Sequence, residues 1–182
     1  MIRQPTTREL VGVRIRRCGI GLGSNLGDRL LNLRLAARAL DLLADFAHPV
    51  LRAPIYESDP VDCAGDASPF YNTVIEIGYF GEPDRLLERL RSIETALGRP
   101  PQREKNVPRI IDLDLLYADD LILAEPELEL PHPRLHLRRF VLQPLAEVRP
   151  NLRLPGQAVT VFELLSRLPL GEPPLRFVTE EW

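Results

Sequence analysis

The sequence predicts an α+β fold: a ferredoxin-like βαββαβ core with an antiparallel sheet, extended by a C-terminal arm and a short helix into αβα layers. Three observations predict it. Four stretches read as strands, at 11–23, 49–59, 71–80 and 109–118. Two stretches with helical apolar spacing, 28–46 and 82–98, fall after the first strand and after the third, which is the split βαβ order. The 182 residues, 45% hydrophobic and 27% charged, suit one domain that buries roughly 70% of its unfolded surface without disulfide or metal staples. Residues 11–182 are read as that domain and 1–10 as a loose arm.

Each element has its own signal. The first strand, VGVRIRRCGIGLG, is expected to enter a glycine-rich turn at Gly21, Gly23 and Gly27. Leu30, Leu33, Ala37, Leu40 and Leu43 then make a helical stripe. PVLRAPIYESD alternates like a strand and pairs antiparallel with YNTVIEIGYF across a long small-residue loop. The second helix has Pro83 in its first turn, a stripe of Leu86, Leu90, Ile93 and Leu97, and Gly98 as its stop. RIIDLDLLYA is the fourth strand, and an arm of short strands follows over 121–130. Thr160 and Glu163 stand at capping-box spacing ahead of a short helix. The 18 prolines gather at 100–108, 126–133 and 169–174, which marks these as loops of restricted backbone.

Charge and composition exclude several functions. With 26 acidic against 23 basic residues the net charge is −3, which argues against a protein that grips nucleic acid. No run is long and apolar enough to span a membrane, and MIRQPTTREL has no apolar segment of the kind a secretory signal needs. Cys18 and Cys63 form neither a disulfide framework nor a metal-type spacing, so a cytoplasmic, reducing location is expected. The aromatic pattern with which such sheets stack single-stranded RNA is absent.

The chemistry concentrates in PRIIDLDLLY. Alternation along a strand puts Asp112 and Asp114 on one face, about 6.6 Å apart, and sends Ile111, Leu113 and Leu115 into the core. Two such carboxylates repel each other and are poor strand formers. A pair of Mg²⁺ ions shared with phosphate oxygens would relieve this, while a merely solvated sheet face is the alternative. Arg99, Arg103, Lys105 and Arg109 precede the pair and fit a polyphosphate held between metal and base. A second basic cluster, His132, Arg134, His136, Arg138 and Arg139, ends at Phe140. Pro131 and Pro133 argue against metal ligation by its histidines. GLGSNLGD lacks both the P-loop lysine and the full dinucleotide pattern, and is read as a tight strand-to-helix turn. No nucleophilic triad is present, which leaves metal-assisted phosphoryl-type transfer.

In order and spacing, GLGSNLGD, YESDPV with FYN, IETALGR, PRIIDLDLLY and LPHPRLHLRRFVLQPLAEV resemble the 6-hydroxymethyl-7,8-dihydropterin pyrophosphokinases of folate biosynthesis. The resemblance covers roughly residues 18–155 and is specific through the combination of its motifs. It implies transfer of pyrophosphate from ATP to the pterin's hydroxymethyl oxygen, with release of AMP, by a monomer acting on small molecules. It implies Asp112 and Asp114 as ligands of two Mg²⁺ ions, and catalytic roles for these two and for Arg99 and Arg109. Nucleotide contacts fall to Glu94, Lys105, Arg109, Leu115, His132 and Arg138. A pterin pocket falls to Ser58, Val61, Phe70, Asn72 and Phe140. The loop over 99–109 departs from the family pattern: Pro100-Pro101 replaces an Arg-containing pair, and Lys105-Asn106-Val107 replaces Arg-Trp-Gly. That departure leaves a pterin-binding homologue without catalysis as the alternative.

Overall fold

Ten residues of β1 (Ile15–Ser24) run through the middle of an antiparallel sheet. The computed structural model describes residues 14–60, 68–100, 108–169 and 174–182. In chain order there follow α1 (Arg29–Asp41), β2 (Leu51–Arg52), β3 (Ile55–Ser58), β4 (Phe70–Phe80), α2 (Pro83–Ala96) and β5 (Asp112–Ala118). Then come β6 (Leu123–Glu125), β7 (Leu128–Leu130), a 3-10 turn (Leu135–Leu137), α3 (Arg139–Val148), α4 (Val161–Ser166) and β8 (Arg176–Thr179). The sheet order is β5-β1-β4-β3-β8, with β2 also on β4, while β6 and β7 form a separate hairpin. Its first four strands have the connectivity of a ferredoxin-like core, and β8 extends the edge.

Local chemistry explains the element ends. Asp28 caps α1 by accepting from the Leu31 N–H at 3.0 Å, and Pro83 opens α2, where a missing N–H costs nothing. Gly98, at φ +99°, ends α2 in a conformation that side chains disfavour. The Thr160–Glu163 capping box starts α4 as the spacing predicts. Helices cover both faces, giving the expected αβα layers. Leu33, Leu40, Leu86 and Leu90 pack with Ile20, Leu22, Ile75, Leu113 and Leu115 on one face. Val141, Leu142, Leu145 and Val161 pack with Val74, Leu116 and Tyr117 on the other.

Several boundaries differ from those read off the sequence. Gly21 and Gly23 lie inside β1, and of the three expected turn glycines Gly27 alone takes a positive φ, at +67°. Along the second face of β1 stand Gly19, Gly21 and Gly23, none of them in a turn. The close approach of Tyr117 requires Gly19, while Leu116 and Asn72 come within 3.4 and 3.3 Å of where a Cβ would stand at Gly21 and Gly23. The stretch 49–59 is split because Pro54 has no N–H to donate to a ladder. α1 stops at Asp41, since the chain must return for Asp45 N–H to donate to the Gly78 carbonyl at 2.8 Å. β5 begins at Asp112 instead of 109 because Arg109 and Ile110 are engaged by Asn25 and Ser24. The segment after Arg138 forms a helix, α3, that the prolines at 131 and 133 concealed. β8 joins the sheet without a sequence signal strong enough to announce it.

At Gly19 a Cβ would fall inside the Tyr117 ring, whose hydroxyl donates to buried Glu76 at 2.6 Å. Arg17 and Arg149 also pair with Glu76, at 2.8 and 3.3 Å. Gly19→Ala therefore displaces the ring and breaks a buried polar cluster, lowering stability by roughly 1–3 kcal/mol. An unchanged urea midpoint in that variant would refute the close-approach account.

Candidate active site

At the end of β1, side chains of β4 and β5 converge around Gly23 on the second sheet face. Gly23 pairs with Asn72 on one side and with Asp112 on the other, and Gly21 pairs with Asp114. Directly opposed residues in antiparallel strands project to the same face. Asn72, Asp112 and Asp114 therefore share it, with one side-chain-free strand between them. A Cβ placed at Gly23 would lie 3.3 Å from Asn72 Oδ1, 3.8 Å from the Phe70 ring and 3.9 Å from Asp112 Cβ. Leu113 and Leu115 point into the opposite core, as the alternation requires.

Asp112 is held by two arginines. Gly98 turns the chain at the end of α2, and Arg99 N–H donates to the Glu94 carbonyl at 2.9 Å. This brings the Arg99 guanidinium back onto the Glu94 carboxylate and onto Asp112 Oδ1, the latter at 2.5 Å. Arg109 donates to Asp112 Oδ2 at 2.7 Å. Glu94, 2% exposed, also accepts from the Leu113 N–H at 2.9 Å, so it ties helix, arginine and strand together. Burial by itself would lower the Arg99 pKa, but the charges of Asp112 and Glu94 outweigh it and raise it.

Asp114 differs from its neighbour. Its side chain makes no hydrogen bond or ion pair among the described residues. Burial, reinforced by the charge of Asp112, pushes its carboxyl up to about 6 despite the opposing pull of Arg138 and Arg109. Two carboxylates on one face, one of them held ionised only at a cost, suit a hard cation that takes oxygen ligands. Among the described residues no cluster of three or more potential metal-ligating side chains occurs. The remaining positions would fall to water and phosphate, which is the usual habit of Mg²⁺.

The segment after the cis Leu130–Pro131 bond completes the rim. His132 N–H donates to the Leu116 carbonyl at 2.7 Å, fixing the residue to β5. Arg134 N–H donates to His132 Nδ1 at 3.2 Å, which leaves the neutral ring's proton on Nε2. Burial first, then the Arg138 and Arg134 charges, push His132 down to about 4. Burial and the nearby Arg134 likewise lower Arg138, with Asp114 and Asp112 acting against them. The Arg138 guanidinium lies 5.3 Å over the Phe140 ring at the start of α3. On β4, Arg109 lies 5.8 Å over Phe70, and Asn72 donates through Nδ2 to Ser58 Oγ on β3 at 2.8 Å.

Most of the residues singled out in the sequence thus meet on one face. Leu115 does not: its side chain is 3% exposed in the opposite core, so it presents only backbone to the site side. Glu94 is enclosed beneath Arg99 rather than open to a ligand. Val61 and Lys105 lie outside the described residues, as do Arg103 and the altered positions 101–107. Sequence reasoning missed Gly23, Ser24 and Asn25. Ser24 Oγ donates to the Ile110 carbonyl at 2.5 Å, and Asn25 pairs with the Arg109 backbone. A polar pair closing an apolar strand was the available signal, and it is a generic one.

Comparison with known proteins points the same way. The family model for 7,8-dihydro-6-hydroxymethylpterin-pyrophosphokinase matches residues 19–150. The 2-amino-4-hydroxy-6-hydroxymethyldihydropteridine pyrophosphokinase of Pseudomonas aeruginosa is 36% identical over 162 residues, covering 85% of this chain and 98% of that protein. Its counterpart from Methylorubrum extorquens is 39% identical over 155 residues, covering 84% and 93%. A folic acid synthesis protein of Dictyostelium discoideum is 32% identical over 84% of this chain, which spans only 22% of that protein's length. Among solved structures, wild-type Plasmodium falciparum HPPK-DHPS with SDX-DHP matches 86% of this chain and 45% of its own, with a TM-score of 0.67 and 13% identity. That likeness shows the shared fold.

The raised Asp114 pKa has a stability consequence. Its ordinary value is 3.8 and its folded value about 6, so above pH 6 the native state carries a charge that the unfolded chain bears more easily. Without divalent cations, Asp114→Asn should be more stable than the parent at pH 7 by on the order of 1–3 kcal/mol. The difference should shrink between about pH 6 and pH 4 and vanish below, as Tm measured against pH will read. A variant less stable at pH 7, or a difference independent of pH, would contradict the burial of this charge.

Proposed function

The chain belongs to the 7,8-dihydro-6-hydroxymethylpterin-pyrophosphokinase family, and from that premise we propose that it transfers pyrophosphate from ATP to 6-hydroxymethyl-7,8-dihydropterin in folate synthesis. The hydroxymethyl oxygen attacks the β-phosphorus of ATP, the bond from that phosphorus to the α-phosphate oxygen breaks, and AMP leaves. The observation that carries this reading is Gly23, with the Asp112–Asp114 pair on one side and Asn72 on the other. An acceptor lying against Asn72 and a triphosphate lying against the acidic pair would then meet over a strand that has no side chains in the way.

Asp112 and Asp114 would hold two Mg²⁺ ions, which when bound offset the charge of the triphosphate and fix its orientation. Arg109 and Arg138 supply positive charge at the phosphates, where guanidinium forks match the oxygens two at a time. Arg99, tied to Glu94 and Asp112, keeps Asp112 in place and adds to that charge. His132, neutral at pH 7, donates from Nε2 to the nucleotide without adding a cation to an arginine-rich rim. Asn72, its Nδ2 committed to Ser58, presents Oδ1 to a ring N–H of the pterin. Phe70 and Phe140 offer apolar faces to the ring, and the family resemblance assigns Val61, outside the described residues, to the same pocket. Lys105 and the Leu115 backbone complete the nucleotide side.

In this reading residues 11–182 act as a single domain in a cytoplasmic monomer; the arm expected over 1–10 lies outside the described residues. Its partners are the two small-molecule substrates, without nucleic acid or membrane. The net charge of −3 supports the exclusion of nucleic acid. Among the described residues no helix is long and apolar enough to cross a membrane.

The test is AMP release from MgATP with and without 6-hydroxymethyl-7,8-dihydropterin. Pterin-dependent AMP without ADP is expected. Asp112→Ala or Asp114→Ala should cut turnover by at least about 100-fold with the circular dichroism spectrum unchanged, since each removes preorganised charge at the phosphates. Tight pterin binding without AMP would indicate a homologue that has lost catalysis, and near-parental turnover in Asp114→Ala would overturn the metal assignment.

A further inference from the structure

Asn25 follows β1 immediately and is 3% exposed, and its N–H and both ends of its side-chain amide bond to loop segments outside the sheet. Its backbone N–H donates to the Arg109 carbonyl at 3.2 Å, and its side-chain Oδ1 accepts from the Arg109 N–H at 2.7 Å. The Nδ2 group donates in the other direction, to the Ser68 carbonyl at 3.3 Å. One side chain therefore grips two segments that are distant in sequence. Ser68 leads into Phe70 and Asn72 on the acceptor side, and Arg109 leads into Asp112 on the phosphate side. Arg29 reinforces the first grip, donating to the Pro69 carbonyl at 2.7 Å and stacking on Tyr71 at 3.7 Å. The second grip is repeated by Ser24, which donates to the Ile110 carbonyl.

We propose that Asn25 is a positioning residue for the transfer: by holding the Ser68 and Arg109 backbones on its two side-chain ends, it sets the acceptor pocket at a fixed distance from the phosphate-binding arginine. The inference rests on the functional reading above. Its physical basis is the amide itself, which alone among similarly sized side chains offers one acceptor and two donors on a planar group. A carboxylate at this position would still accept from Arg109 N–H, but it would set an anionic oxygen against the Ser68 carbonyl and push that segment away. An alanine would release both segments. In-line attack tolerates little misplacement, and about 1 Å of error can reduce rate by roughly 100-fold.

The two substitutions consequently have different signatures. In steady-state AMP release, Asn25→Asp should raise the pterin KM about tenfold, the worth of one buried hydrogen bond, and leave the MgATP KM within about twofold. Asn25→Ala should raise both KM values and lower kcat by roughly 10- to 100-fold. Each variant is assayed at least 15 °C below its own Tm, roughly the margin that keeps a domain of this size folded, so lost stability does not masquerade as lost affinity. A purely structural asparagine would lower Tm and leave both KM values at the parental level. That result, or parallel shifts of the two KM values in Asn25→Asp, overturns the proposal. If Asn25→Asp does not fold, Asn25→Ala decides alone, since unchanged KM and kcat in it are equally fatal. A parent enzyme that releases no pterin-dependent AMP overturns the functional reading and this inference with it. An active parent with unaffected variants overturns this inference only.

Discussion

From Gly19 onward one face of β1 carries no side chains, and the neighbouring strands are arranged around that bare stretch. Gly19, Gly21 and Gly23 stand at every second position, so side chains from β4 and β5 approach each other across the central strand. At one end Tyr117 lies flat over Gly19 to reach Glu76. In the middle Leu116 closes over Gly21 beneath α3. At the other end Asn72, Phe70 and Asp112 surround Gly23. A glycine inside a strand sacrifices β-propensity and chain entropy. Here the loss is offset by packing at Gly19 and Gly21, and at Gly23 it lets Asn72, Phe70 and Asp112 draw together.

The acidic pair shows how a fold can hold unfavourable charge where it is useful. Asp112 is neutralised within the protein by Arg99 and Arg109, and Arg99 is itself anchored by buried Glu94. Asp114 has no such partner among the described residues, and its carboxyl is correspondingly reluctant to ionise. The pair is thus asymmetric: one carboxylate is fixed in orientation by arginines, and the other makes no hydrogen bond or ion pair among the described residues. The family resemblance implies Glu94 as a nucleotide contact, but its 2% exposure and its bonds to Arg99 and the Leu113 N–H make it the base on which Arg99 rests. Building the support from a helix and a strand gives a firmer placement than loops alone provide.

Much of this was legible from residue order alone. Alternation in PRIIDLDLLY put the two aspartates on one face and the leucines on the other, because a strand has a period of two whatever surrounds it. The helices at 28–46 and 82–98, the Thr160–Glu163 cap and the βαββαβ order were readable for the same reason: they depend on neighbours within a few residues. The family motifs extended this to the family and its reaction.

Long-range pairing was not legible. GLGSNLGD read as a turn because glycines in sequence do not reveal whether they give φ freedom or room for neighbours, and only the register against Asn72 and Asp112 decides it. The edge strand β8, the helix α3 behind two prolines, the inward placement of Leu115 and the double grip of Asn25 likewise depend on residues tens of positions away. Sequence alone determined the local periods, the caps and the chemical identity of the acidic and basic groups, since these follow from each residue and its near neighbours. Tertiary structure alone decided which carboxylate is neutralised, which glycine makes room, and which backbone segments Asn25 joins. Those outcomes depend on distances between strands, and the chain acquires such distances only when the sheet closes.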